Sequence, residues 1–122
     1  ETHEEIGIAK HQIEVLGELT QLYIPPSNFL VYPVLACAKE DLHFVKDPIE
    51  VAEIIHVPID LLLSTAQRRL KTMDLSRGAE VHDLKSVQVP YFDLLGQHVW
   101  GATAMILSEF AALIQSQSSR NN

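Results

Sequence analysis

Five of the six prolines fall between positions 25 and 58, at Pro25, Pro26, Pro33, Pro48 and Pro58. Each fixes φ and removes a backbone donor, so this half of the chain must be built from short segments and loops. Pro25-Pro26-Ser27-Asn28 reads as a loop between two strands. The first covers Gln12 to Leu19, where Ile13, Val15 and Leu19 alternate; the second is the β-rich run Phe29 to Ala38. Lys39-Glu40-Asp41 turns the chain, Leu42 to Val45 suggests a further strand, and Asp47-Pro48 breaks it before the acidic stretch Glu50 to Glu53. Ile54 to Val57 reads as another strand.

Beyond Pro58 the pattern changes. Pro58-Ile59-Asp60 predicts a helix to about Lys71, with Ile59, Leu62, Leu63, Ala66 and Leu70 as its apolar stripe. Asp74 to Asp83 is polar and reads as a loop or weak hairpin. Val87 to Leu94 and His98 to Trp100 flank Leu95-Gly96-Gln97 as a β-hairpin. Trp100, Thr103, Leu107, Phe110 and Ile114 set out the buried face of a last helix, which places Trp100 in the core rather than in a site. The polar end, 116–122, is expected to fray as a disordered tail. Strands mixed with helices give an α/β or α+β domain, and a chain of 122 residues, 47% hydrophobic, has room for one core.

A net charge of −7 disfavours nucleic acid or an anionic membrane as the main partner and leaves small anions held through a cation. The single cysteine, Cys37, lies in the apolar run Val34 to Ala38 and reads as a buried small hydrophobe in a reducing, cytoplasmic setting. The six histidines, His3, His11, His43, His56, His82 and His98, form no His-x-x-x-His pair and have no Cys partner, which argues against zinc. There is no Walker-type glycine loop and no Gly-x-Ser-x-Gly elbow.

The strongest chemical signal is at the start. Glu1-Thr2-His3-Glu4-Glu5-Ile6-Gly7 predicts a short helix stopped at Gly7, and Glu1, Glu4 and Glu5 at i, i+3 and i+4 share one of its faces. Like charges at that spacing, in the turn where the helix dipole disfavours anions, break two local rules together. Such a cluster suits Mg²⁺ or Mn²⁺; the plain alternative is a solvated acidic helix face.

The same residues carry a family resemblance. Glu1 to Ile8 is similar to the closing half of the Nudix box, Arg-Glu-U-x-Glu-Glu-x-Gly-U with U aliphatic, although Thr2 stands where a bulkier apolar residue is common. Three later stretches resemble one branch of that family, the coenzyme A pyrophosphatases. They are Val15-Leu16-Gly17-Glu18-Leu19 with Tyr23-Ile24-Pro25-Pro26-Ser27, then Pro48 to Ile59, and Gln97-His98-Val99-Trp100-Gly101-Ala102-Thr103-Ala104. The resemblance covers about 1–115. It implies the C-terminal two-thirds of a Nudix α/β/α sandwich with a mixed sheet, truncated so that the N-terminal strands, the opening half of the box and the branch's coenzyme A signature precede Glu1. A start without Met or a helix-capping residue fits that expectation.

What the resemblance implies chemically is divalent-metal-dependent hydrolysis of a diphosphate in a small nucleoside-diphosphate-type substrate. Coenzyme A or an acyl-coenzyme A would give 3′,5′-ADP and a phosphopantetheine product. Glu4 and Glu5 would be metal ligands, with Glu1 a further ligand or the carboxylate that orients the attacking water. Glu50, in the matching acidic loop, is the first candidate for an additional base, and Glu53 the second; two solvated glutamates before a strand are the plain alternative. Ser27, Asn28 and Phe29 could line a pocket or simply form a loop. A Nudix-like module without catalysis and an unrelated acidic α/β domain are the competing readings. A truncated chain is expected to hydrolyse little by itself and to self-associate through an unpaired sheet edge and exposed apolar surface.

Overall fold

The computed structural model describes residues 2–25, 27–74 and 86–120. They divide into two compact units, 1–56 and 57–122, each taken by itself below.

The first unit opens with α1 (Thr2–Ile6). Gly7 stops it with φ of 75°, the left-handed conformation that glycine adopts without a Cβ penalty, as the sequence leads one to expect. A 3₁₀ turn follows at Lys10–Gln12, where the Gln12 side chain accepts the Ala9 N–H at 2.8 Å. Strands β1 (Ile13–Glu18) and β4 (Val34–Ala38) pair antiparallel, with a bulge that leaves Leu16 without an opposite number between Val15↔Ala36 and Gly17↔Leu35. Between them, β2 (Leu22–Ile24) and β3 (Phe29–Val31) form a hairpin across the proline loop. Asn28 takes the positive φ, 56°, that its turn requires; asparagine tolerates it better than most residues. Cys37 is exposed, contrary to the sequence reading, because it lies in a strand pair in which five of the six residues of β1 and four of the five in β4 face solvent.

The expected strands at 42–45 and 54–57 do not form. The N–H groups of Val45 and Asp47, which a ladder would have used, donate instead to the carbonyls of Ile6 (2.9 Å) and Glu5 (2.8 Å) at the end of α1.

The second unit starts with α2 (Ile59–Leu63), a 3₁₀ turn at Thr65–Gln67 and β5 (Arg68–Asp74). The helix read as far as Lys71 therefore ends a turn after it begins. Ser64 adopts an extended conformation, and Arg68 to Asp74 pair in seven consecutive registers with β6 (Ser86–Leu94), a ladder that outweighs the helical spacing of Leu63, Ala66 and Leu70. Leu70, the last member of that stripe, is 63% exposed. The predicted hairpin is present: β6 pairs with β7 (Gln97–Trp100) through Leu95 and Gly96, both at positive φ (53° and 83°). This is the backbone of a two-residue type I′ turn. Helix α3 (Gly101–Arg120) follows directly, and its helical backbone continues past Gln115 into the stretch read as a tail.

The core of this unit is the layer between the β5–β6–β7 sheet and the two helices. Phe92, Leu94, Leu62, Ala104 and Ala111 are buried there, with Val99, Leu107 and Phe110 packed around them. Burying side chains of this size contributes roughly 1.5–3 kcal/mol each for the larger ones. Helices and strands are mixed in the chain as expected, in runs rather than in alternation, and every described strand pairing is antiparallel. Among the described residues no helix is long and apolar enough to cross a membrane.

Candidate functional site

Two of the three carboxylates read from the sequence, Glu4 and Glu5, lie on the last turn of α1. Glu4 is exposed and Glu5 half-buried; Glu1 lies outside the described residues. What gives this short helix a fixed position is its end. The two carbonyls of Glu5 and Ile6, left without intrahelical partners, are taken by the N–H groups of Asp47 and Val45. A Cβ on Gly7 would lie 3.1 Å from both the Val45 Cβ and the Val45 carbonyl oxygen, so glycine is required twice over, by its φ and by the closeness of the facing backbone.

The strand-breaking Asp47-Pro48 thus does more than end a segment. Asp47 Oδ1 accepts the Ile49 N–H (2.9 Å), its carbonyl accepts the Val51 N–H (2.8 Å), and Lys46 Nζ donates to the Ala52 carbonyl (2.7 Å). These bonds close a tight acidic turn that holds Glu50, and the same segment docks on the end of α1. The structure therefore brings the main chain of the acidic loop to the carboxylate helix, while the Glu50 and Glu53 side chains point to solvent. Asp47 was missed as a site-building residue; the Asp-Pro pair was the available signal, since aspartate before a turn bonds the backbone two residues on.

Among the described residues, no three His, Cys, Asp or Glu side chains gather closely enough to hold an ion. Glu4 and Glu5 offer two carboxylates, which are hard oxygen donors. That is short of an all-protein cage, yet it suits Mg²⁺, which is commonly held by one or two carboxylates with water and substrate phosphate completing the shell.

Two other expectations resolve differently. The polar groups of Ser27 and Asn28 are committed to their own hairpin: Ser27 Oγ donates to the Ile24 carbonyl (3.3 Å), and Asn28 Oδ1 accepts the Tyr23 hydroxyl (2.8 Å). Trp100 is not in the core. It ends β7 before α3 begins and is 55% exposed, on the sheet face away from Phe92. There it lines a small cavity of about 120 Å³ together with Lys71, Val89, Tyr91 and His98.

No family profile matches the chain. Individual proteins do. Residues of the chain amounting to 94% of its length are 32% identical to a Nudix hydrolase NudL, named as uncharacterised, of Photorhabdus laumondii. Similarly named NudL proteins of an Enterobacter species and of Pectobacterium atrosepticum are 32% and 31% identical over 93% and 96% of the chain. The chain spans 57%, 55% and 57% of the lengths of these three relatives, a little over half of each.

Proposed function

We propose that this chain is part of a Nudix-type hydrolase that cleaves a diphosphate linkage in a small nucleoside-diphosphate-type molecule with the help of Mg²⁺ or Mn²⁺. The observation that carries the reading is the similarity near 30% over almost the whole chain to Nudix hydrolases, supported by Glu4-Glu5-Ile6-Gly7 lying on a helix that ends on a left-handed glycine.

A diphosphate presents dense negative charge to a protein that is itself acidic, and a bound divalent cation supplies the neutralisation and the polarisation of phosphorus. Glu4 and Glu5 would hold that ion, and Glu1 would be a third ligand or would orient the water. Glu50, carried on the turn that Asp47 organises, would accept the water's proton as oxygen attacks one phosphorus and the bridging P–O bond breaks, leaving two monophosphates. Within this class the substrate we favour is coenzyme A or an acyl-coenzyme A, cleaved to 3′,5′-ADP and (acyl-)phosphopantetheine in the cytoplasm. The likeness of Gln97 to Ala104 and of the Pro48 to Ile59 segment to the coenzyme A branch supports this choice.

A second reading is a Nudix-like binding module without turnover. One experiment separates the two. The complete protein is incubated with coenzyme A and Mg²⁺, with and without Glu5→Gln, and products are resolved by mass. Release of 3′,5′-ADP that falls on the order of a thousandfold in the variant supports the hydrolase. Cleavage of other nucleoside diphosphates alone discards coenzyme A, and no cleavage of any diphosphate leaves the binding module.

A further inference from the structure

Helix α3 presents small residues to part of the sheet it packs on. Gly101, Ala104 and Ser108 stand at i, i+3 and i+7, on one side of the helix, and all three border a cavity of about 270 Å³. The facing wall belongs to β5 and β6. Cross-strand partners share a face, so the registers Arg68↔Phe92 and Leu70↔Pro90 set Arg68 and Pro90 on the same side of the sheet as the buried Phe92, and these three residues line the cavity. Protein interiors pack with few voids larger than a water molecule, so a space of this volume follows from the side-chain atoms that glycine, alanine and serine do not supply. Met105, a further apolar wall, is 59% exposed, and the cavity is reached from solvent beside it. The charge at this site is cationic. The Arg68 guanidinium lies 5.7 Å from the Phe92 ring centroid, within the range of a cation–π contact, and has no ion pair among the described residues. Arg69, also at the wall, is engaged by Asp93 at 3.6 Å. No carboxylate lines the cavity among the described residues.

We infer that this cavity binds a small monocarboxylate with an apolar body, such as an arylalkanoate of one ring, the body seated between Pro90, Phe92 and Met105 and the carboxylate meeting Arg68. Volume sets the body. Roughly 150 Å³ of apolar space admits a benzene ring, so the cavity of about 270 Å³ has room for a ring with a short chain, and it falls below the roughly 300–1,000 Å³ of sites for larger ligands. Charge sets the head group. A guanidinium holds its five N–H donors in one plane, and a carboxylate accepts two of them in parallel, a geometry that a neutral ligand does not use. A phosphate ester carries up to two negative charges, and here it would meet one unpaired cation in a chain of net charge −7. The inference is independent of the hydrolytic reading, because no carboxylate assigned there lines the cavity and capture by Arg68 calls for no metal.

Met105 supplies the reporter. The chain has two methionines, and with both methyl groups labelled with carbon-13 the Met105 resonance is the one that Met105→Leu removes. The chain is titrated in EDTA with 3-phenylpropanoate, with its neutral counterpart 3-phenylpropan-1-ol, with acetate and with AMP. A saturable ring-current shift of the Met105 methyl by 3-phenylpropanoate is expected, with the alcohol binding about three- to tenfold more weakly and no shift from acetate, which has the head group without the body. Arg68→Gln, checked for folding by circular dichroism, should bring the carboxylate to the affinity of the alcohol and leave the alcohol unchanged. Ser108→Phe, at an exposed position of α3, fills the cavity and should abolish binding of both. The inference is overturned by the absence of a saturable shift up to about 10 mM 3-phenylpropanoate, a range that captures even millimolar affinity. It is equally overturned by an alcohol that binds as tightly as the carboxylate, by a folded Ser108→Phe that binds as before, or by AMP moving the same methyl at lower concentration. A ligand-free Met105 resonance that shifts with protein concentration would also overturn it, since a second copy would then cover the cavity.

Discussion

At Gly7 a single missing side chain sets the geometry of the carboxylate helix. Gly7→Ala forces a Cβ into the left-handed region, worth about 1–2 kcal/mol, and presses it against the Val45 backbone and Cβ at 3.1 Å. The variant should lose about 1–3 kcal/mol in urea denaturation; a midpoint unchanged within error would show that the helix end is not held by the 45–47 segment. The two aromatics at the ends of the 92–100 hairpin make a contrasting pair. Phe92, 3% exposed, should cost about 3–5 kcal/mol when changed to Ala, whereas Trp100→Ala should cost less than about 1 kcal/mol. Equal losses would put Trp100 back in the core, where the spacing of the last helix suggested it belonged. That suggestion failed for a definable reason. The 3-4 rhythm from Trp100 to Ile114 holds only from Leu107 onward: Thr103 is exposed while Ala104 and Ala111 are the buried residues of α3, and Gly101 takes φ of 65° and turns the chain between strand and helix, so the first member of the series belongs to the sheet.

Among elements, those with strong local punctuation were readable and those decided by distant partners were not. Gly7 and the Leu95-Gly96 turn each carry their geometry in one or two residues, and α1 and the β6–β7 hairpin follow from them, whereas Leu22–Ile24 was not read as a strand and the run Phe29 to Ala38 divides at Pro33 into β3, paired with β2, and β4, paired with β1. The segment 68–74 has leucine spacing that suits a helix and alternation that suits a strand; only the presence of β6 chooses between them. Residues 42–45 read as a strand because nothing local shows that Val45 and Asp47 donate to the carbonyls of Ile6 and Glu5, some forty positions earlier. For the site, the spacing of Glu4 and Glu5 was legible, while the docking of the Asp47 turn was not. The β6–β7 turn also offers a test at this scale. Leu95 sits at φ 53°, a conformation that a leucine adopts at a penalty and asparagine tolerates. Leu95 is exposed, so Leu95→Asn sacrifices little burial and should raise stability by about 0.5–1 kcal/mol, seen as a higher melting temperature. A lower melting temperature would mean that the leucine side chain makes an apolar contact worth more than the backbone relief.

Taken as a whole, the molecule distributes its apolar surface unequally. The second unit has a buried layer, whereas in the first the side chains of Val15, Leu16, Tyr23, Phe29, Leu30, Tyr32 and Val34 are all exposed by about half or more. Most of these residues lie on or between short two-stranded ladders, each with free edges, and two-stranded pairs are marginal in water unless something packs on them. Scattered exposed leucines need no explanation, but this many large apolar side chains within twenty consecutive positions form the kind of surface that binds protein. Self-association of the 122-residue chain through residues 13–38 is therefore expected, opposed by a net charge of −7 and strengthened as salt screens that repulsion. Sedimentation equilibrium should show mass rising with protein concentration and with added sodium chloride. Placing a charge on the bulge with Leu16→Glu should shift the chain towards monomer; bulges and inward charges are how edge strands are kept from pairing. A chain that remains monomeric across the whole concentration range would mean that residues 13–38 tolerate water as they stand. One that associates equally well with Leu16→Glu would move the contact elsewhere on the molecule.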